Sequence, residues 1–128
     1  MSDYEILNRE TFPRRRPEPG APTVNFSIST GVVYFSKTSC DLMDLKAGDK
    51  VEILRQKDNP LHFGFRKTDS ELGFKLRPKK AGQCFTAMPV VSRILASMGS
   101  LATTTVQLGR EPIEGAYWAI LKSARRRL

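Results

Sequence analysis

A chain of 128 residues, 40% hydrophobic and 27% charged, has the size and composition of one globular domain. Its 21 Lys or Arg against 13 Asp or Glu give a formal net charge of +8, which points to a polyanionic partner. No apolar run approaches the roughly twenty residues of a membrane-spanning helix. MSDYEILNRE at the N-terminus has no apolar stretch of the signal-peptide kind, so a cytoplasmic protein that does not engage a membrane is expected.

Residues 1–22 read as a flexible arm. Pro13, Pro17, Pro19 and Pro22 with Gly20 disfavour regular structure, and Arg14–Arg16 give the arm a basic run. Residues 23–30 alternate, with Val24, Phe26 and Ile28 on one face and Asn25, Ser27 and Ser29 on the other, the pattern of a half-buried strand. Val32–Phe35 is a second strand. Ser36 opens a short helix to Leu45, which stops near Gly48. Lys50–Gln56 is a strand, residues 57–60 a turn, and Leu61–Lys67 a strand with Phe63 and Phe65 inward.

After a link over 68–73, Gly73–Lys79 repeats the first strand with Phe74 and Leu76 inward. Lys80-Ala81-Gly82 turns into a strand over 83–86. Pro89 begins a helix whose Val91, Ile94, Leu95 and Met98 have helical spacing, and Gly99 ends it. Residues 103–108 and 116–122 are the last strands, and 123–128 a basic tail. Trp118 belongs to the core. Cys40 and Cys84, isolated in sequence, are expected reduced and buried.

Shifting the numbering by fifty lays Val24 on Phe74, Phe26 on Leu76 and Phe35 on Phe85. The single domain 23–122 therefore reads as two ββαββ copies, 23–67 and 73–122. The expected fold is α+β, with two antiparallel four-stranded sheets and two helices. The charge divides between the copies. Residues 1–72 hold eleven Lys or Arg and eleven Asp or Glu, whereas residues 73–128 hold ten Lys or Arg against Glu111 and Glu114. Such asymmetry points to nucleic acid.

Within the basic copy, Lys75, Arg77 and Lys79 share one strand face where the first copy has Asn25, Ser27 and Ser29. Alternate strand residues stand about 6.5–7 Å apart, close to the phosphate spacing of an extended single strand. Lys80, Lys37, Arg55, Arg66 and Lys67 extend the candidate surface. Arg125, Arg126 and Arg127 add charge from the tail. Tyr34 and Tyr117, out of phase with the inward positions, are candidates for stacking on bases, with His62 beside them. No cysteine–histidine cluster has metal-ligand spacing, and neither a phosphate loop nor a nucleophile elbow is present. No enzyme, metal or cofactor is expected.

Four strands followed by a helix, read from Lys50 onward, resemble the unit of the Whirly and transcriptional-positive-coactivator class of single-strand DNA-binding proteins. That resemblance implies a pseudo-dimer of two such units presenting curved sheets to single strands; it covers about residues 23–122. PKKAG at 78–82 only loosely echoes the lysine-glycine-lysine signature of that class. GVVYFSKTSCDLMDLKAGDKVEIL at 31–54 is similar to the swapped-hairpin AbrB-type regulators, with Lys37, Leu45, Gly48 and Asp49 in place and Ser36 where proline is usual. This second resemblance implies double-strand DNA binding as a dimer. The chain also resembles small basic proteins of gut Bacteroidota and their phages. The expected function is binding of single-stranded DNA or RNA with little sequence preference, in a protein able to form homo-oligomers. The alternatives are an AbrB-like duplex-binding regulator and a structural or phage-assembly protein without nucleic acid.

Overall fold

The alternation in Thr23–Phe26 forms strand β1, with Val24 and Phe26 fully buried. In the computed structural model, residues 20–55, 63–100, 102–110 and 118–127 are described, the last seven as backbone. Val32–Phe35 forms β2 and pairs back antiparallel on β1. The turn between them begins earlier than the alternation suggests. Ser27 N donates to the Val32 carbonyl at 3.0 Å, and Gly31 N to the Ser27 carbonyl at 2.9 Å. The hairpin therefore reverses before Ile28, which is exposed rather than inward.

Helix α1, Lys37–Met43, starts because Ser36 Oγ accepts the Ser39 N–H at 3.2 Å. It ends at Asp44, whose left-handed backbone (φ 55°) returns its N–H to the Cys40 carbonyl. Strands β3 (Lys50–Arg55) and β4 (Phe63–Thr68) form a second hairpin. The stretch expected as one strand over 73–79 is two, β5 (Phe74–Lys75) and β6 (Arg77–Lys79). It is one extended ribbon that changes partner at Leu76. β5 pairs with β3, and β6 pairs with β7 (Gly82–Thr86). At the crossing, Leu76 N donates to the Asp49 carbonyl at 2.8 Å and Gly48 N to the Leu76 carbonyl at 3.0 Å.

Helix α2, Met88–Ser97, carries Pro89 in its first turn, where a missing N–H costs nothing. Strands β8 (Thr104–Leu108) and β9 (Trp118–Arg127) follow. The expected basic tail is thus the far end of β9. Thr104, Thr105 and Val106 pair with Arg127, Arg126 and Arg125. The arm also ends sooner than expected: Ala21 and Pro22 are buried, and the Pro22 carbonyl accepts the Leu108 N–H at 2.9 Å.

Among the described residues all pairings are antiparallel, in the order β5-β3-β4-β9-β8-β1-β2-β7-β6. Two separate four-stranded sheets were expected. One nine-stranded sheet forms instead, because β4–β9 and β1–β8 join hairpins from different parts of the chain. Its first and last strands are consecutive in sequence, so the sheet curls into a nearly closed barrel. The described residues are mainly antiparallel sheet with two helices.

Side chains fill the inside, as expected for a barrel of about eight strands. Aromatic contacts run from Phe26 to Phe65, Phe65 to Phe35, Phe35 to Phe85 and Phe85 to Phe74, with centroids 4.7 to 6.3 Å apart. Each such pair adds about 0.5–1.5 kcal/mol beyond its area burial. The series ties β1, β4, β2, β7 and β5 together. Val91, Ile94 and Leu95 of α2 and Cys40 and Met43 of α1 join the same core, and Trp118 packs half-buried against it. Cys40 and Cys84 are free thiols, both buried. Burial pushes the Cys40 thiol above its ordinary value. Among the described residues no helix is long and apolar enough to cross a membrane.

Candidate nucleic-acid interface

Because Leu76 and Phe74 point into the barrel, Lys75, Arg77 and Lys79 point out of it. All three are exposed, as are Pro78 and Lys80. The ribbon 74–80 therefore has an apolar inner edge and a cationic outer one. Lys79 pairs with Gly82 to close the β6–β7 hairpin around Lys80-Ala81. Lys80 takes φ 52° in this turn, a backbone region that glycine occupies more readily.

Register adds a residue that periodicity does not reveal. Lys50 on β3 stands directly opposite Lys75, so two cations share one outward position. Like charges directly opposed across strands are destabilising by themselves. An anion bound between them would relieve that repulsion. Lys50 is visible in sequence only as the first residue of a strand, and its neighbour comes from register alone.

The remaining sequence candidates divide into two groups. Lys37 is ion-paired to Asp41 at 2.9 Å, one helical turn on. Arg66 pairs with Glu52 directly across the β3–β4 hairpin. Lys67 Nζ lies 3.3 Å from Asp49 and 3.8 Å from Asp44, and donates to the Asp44 carbonyl at 3.0 Å. These three cations are already neutralised by the protein. By contrast, Lys75, Arg77, Lys79 and Lys80 have no carboxylate partner among the described residues, and Arg77 Nη2 only donates to Thr86 Oγ1 at 2.6 Å. Arg55 is exposed at the end of β3, away from the ribbon's hairpin.

Tyr34 is half-buried on the outer face of β2, two strands from Arg77. Tyr117 and His62 lie outside the described residues. Arg125, Arg126 and Arg127 are placed as backbone, at the β9 positions opposite Val106, Thr105 and Thr104. Among the described residues no group of three or more His, Cys, Asp or Glu is placed to hold a metal ion.

Comparison with known proteins adds no relative. No protein-family model matches the chain, no curated protein matches it, and no solved structure matches its fold.

Proposed function

We propose that the protein binds single-stranded nucleic acid, with little sequence preference, along the outer edge of residues 74–80. One observation carries this reading. Lys75, Arg77, Lys79 and Lys80 crowd one exposed ribbon without acidic partners among the described residues, while Lys37, Arg66 and Lys67 each face a carboxylate. Unpaired cations spaced about 6.5–7 Å apart suit successive phosphates of an extended strand. The reading takes single-stranded DNA before RNA, in transcription, replication or recombination, and both present the free bases and phosphates such a surface would hold.

The same proposal takes the two halves as an internal ββαββ repeat. Exchange β1 with β5–β6, β2 with β7, β3 with β8 and β4 with β9. Every strand pairing then falls on another pairing or on itself. In this order, hairpins from the first half alternate with hairpins from the second around the barrel. That alternation is what a swapped-hairpin arrangement implies, and it favours one second reading: duplex DNA binding of the AbrB-like kind.

Titration of labelled single and double strands over a salt series separates these readings. Single strands are expected to bind more tightly than duplex of equal length. Changing Lys75, Arg77 and Lys79 together to alanine is expected to lower the salt slope for single strands by about two, at about 0.7 per lost phosphate contact. Stability is expected to change little, since exposed substitutions away from special features are usually within about 0.5 kcal/mol. Tighter duplex binding would move the assignment to the second reading. A parent that binds neither strand at low salt would leave a structural role.

A further inference from the structure

Three side chains border one patch of the outer sheet. Tyr34 on β2 is directly opposite Cys84 on β7, and Cys84 is directly opposite Arg77 on β6. Gly82, two residues before Cys84 and on the same face, is opposite Lys79. The phenol does not stand away from the sheet. A Cβ built on Gly82 would lie 3.0 Å from Tyr34 Oη, so the ring reaches from its own strand across to the next. A side chain at position 82 would collide first with the Phe35 carbonyl, with the phenol tip beside it, so glycine lets β7 and the ring lie this close.

Cys84 gives independent evidence for this posture. It faces outward with Tyr34 and Arg77 and lies outside the hydrophobic core cluster, yet it is only 1% exposed. Tyr34 from one side accounts for its cover. Arg77, extended toward Thr86, accounts for it from the other. With its tip beside Gly82 and its residue half-buried, the ring crosses toward β7 and leaves part of its surface exposed. Arg77 and Lys79 run along its far side, about 6.5–7 Å apart.

We propose that this patch is a one-nucleotide subsite: an unpaired base stacks on the exposed surface of Tyr34, and the phosphates flanking it sit on Arg77 and Lys79. The inference rests on the nucleic-acid reading and adds what distinguishes a single strand from any other polyanion. A base within a duplex presents only its edges to the grooves and keeps its faces in the stack. An unpaired base has a free face, and every base has one, so the subsite selects strandedness and not sequence.

The test compares two labelled oligomers of equal length by fluorescence anisotropy, using the full chain. One is oligothymidylate; the other has the same phosphates on abasic sugars. The parent is expected to prefer the thymidylate by roughly five- to a hundred-fold, the effect of one good stacking contact. Tyr34→Leu is expected to erase that preference while leaving abasic binding and both salt slopes unchanged. Tyr34→Phe is expected to keep it. Equal binding of the two oligomers by the parent overturns the subsite, and so does a Tyr34→Leu protein that binds thymidylate like the parent. In either case, binding that still depends on Lys75, Arg77 and Lys79 leaves the phosphate reading standing. A parent that binds neither oligomer overturns both. Should Tyr34→Leu fail to fold, the comparison of oligomers on the parent still decides.

Discussion

Lys80 sits where the backbone would prefer glycine. At φ 52°, in a two-residue loop closed by Lys79 and Gly82, it bears a left-handed conformation that costs an L-residue about 1–2 kcal/mol. A charge kept at such a point suggests that its position matters for binding. Lys80→Gly is expected to raise the urea midpoint by the equivalent of about 0.5–1 kcal/mol. It is also expected to weaken single-strand binding and reduce the salt slope by about 0.7. Unchanged affinity would remove Lys80 from the contact surface. Asp49 holds the opposite kind of interaction, one internal to the fold. Its carboxylate accepts the Lys46 N–H at 2.8 Å, and that hydrogen bond, helped by Lys67, holds its carboxyl below the usual range. A depressed acid contributes stability above its unfolded value, about pH 4, and loses it as pH falls through the lower folded value. Urea midpoints measured from neutral pH downward should therefore fall less in Asp49→Asn than in the parent over that acid window. Identical profiles would show that the Lys46–Asp49–Lys67 contacts carry no linkage.

Strand β9 shows how an element can form against its own sequence. Residues 123–127, Ser-Ala-Arg-Arg-Arg, carry no alternation and read as a tail, yet they belong to β9, and Arg125–Arg127 pair with β8 across a register shift. The cause lies in the neighbour. All five residues of β8 are buried, and buried backbone N–H and C=O groups need partners whatever side chains the partner strand brings. Truncation after Lys122 is accordingly expected to cost about 3 kcal/mol, since three residue pairs are lost at about 1 kcal/mol for each hydrogen bond. Changing Arg125–Arg127 to glutamine should cost far less, as it keeps the strand. Equal stability of the truncated and full chains in urea would return these residues to a tail. Elsewhere the strands were legible because their burial alternates: Val24/Phe26, Val33/Phe35 and Phe74/Leu76 mark the inner face by period two. That same alternation placed Lys75, Arg77 and Lys79 outward. It could not show that Glu52 faces Arg66, that Lys50 faces Lys75, or that Tyr34 reaches Gly82, because cross-strand register is not written in either strand alone. Alternation also misplaced Ile28, since Ser27-Ile-Ser-Thr-Gly31 continues the pattern through a turn.

At the scale of the whole molecule, the order of hairpins decides how the chain must fold. β1–β2 lies between β8 and β7, and β3–β4 lies between β9 and β5. Every hairpin of the first half therefore has second-half strands on both sides; in turn β8–β9 lies between β4 and β1, and the ribbon with β7 meets β3 through β5 and β2 through β7. Of the aromatic contacts, Phe35 against Phe85 crosses the same boundary, while Phe26–Phe65, Phe35–Phe65 and Phe74–Phe85 each lie within one half. Neither half can form this sheet by itself, and each is of a size at which a lone core is marginal. The connection between halves is less constrained: Asp69, Ser70, Glu71 and Leu72 are all exposed, and Leu72 is 93% exposed. A chain cut there keeps every strand pairing and loses only the tether, whose effect on stability becomes one of concentration. Fragments 1–72 and 73–128 made separately are expected to lack the near-ultraviolet circular dichroism of the parent. Mixed in equal amounts, they should recover that signal and unfold cooperatively, with a midpoint that rises with fragment concentration. Recovery would also place the basic ribbon on a scaffold supplied largely by the neutral half, so single-strand binding should return with it. A native signal from either fragment alone would contradict the interleaved order, because that fragment would have to complete a sheet without the strands that flank its hairpins.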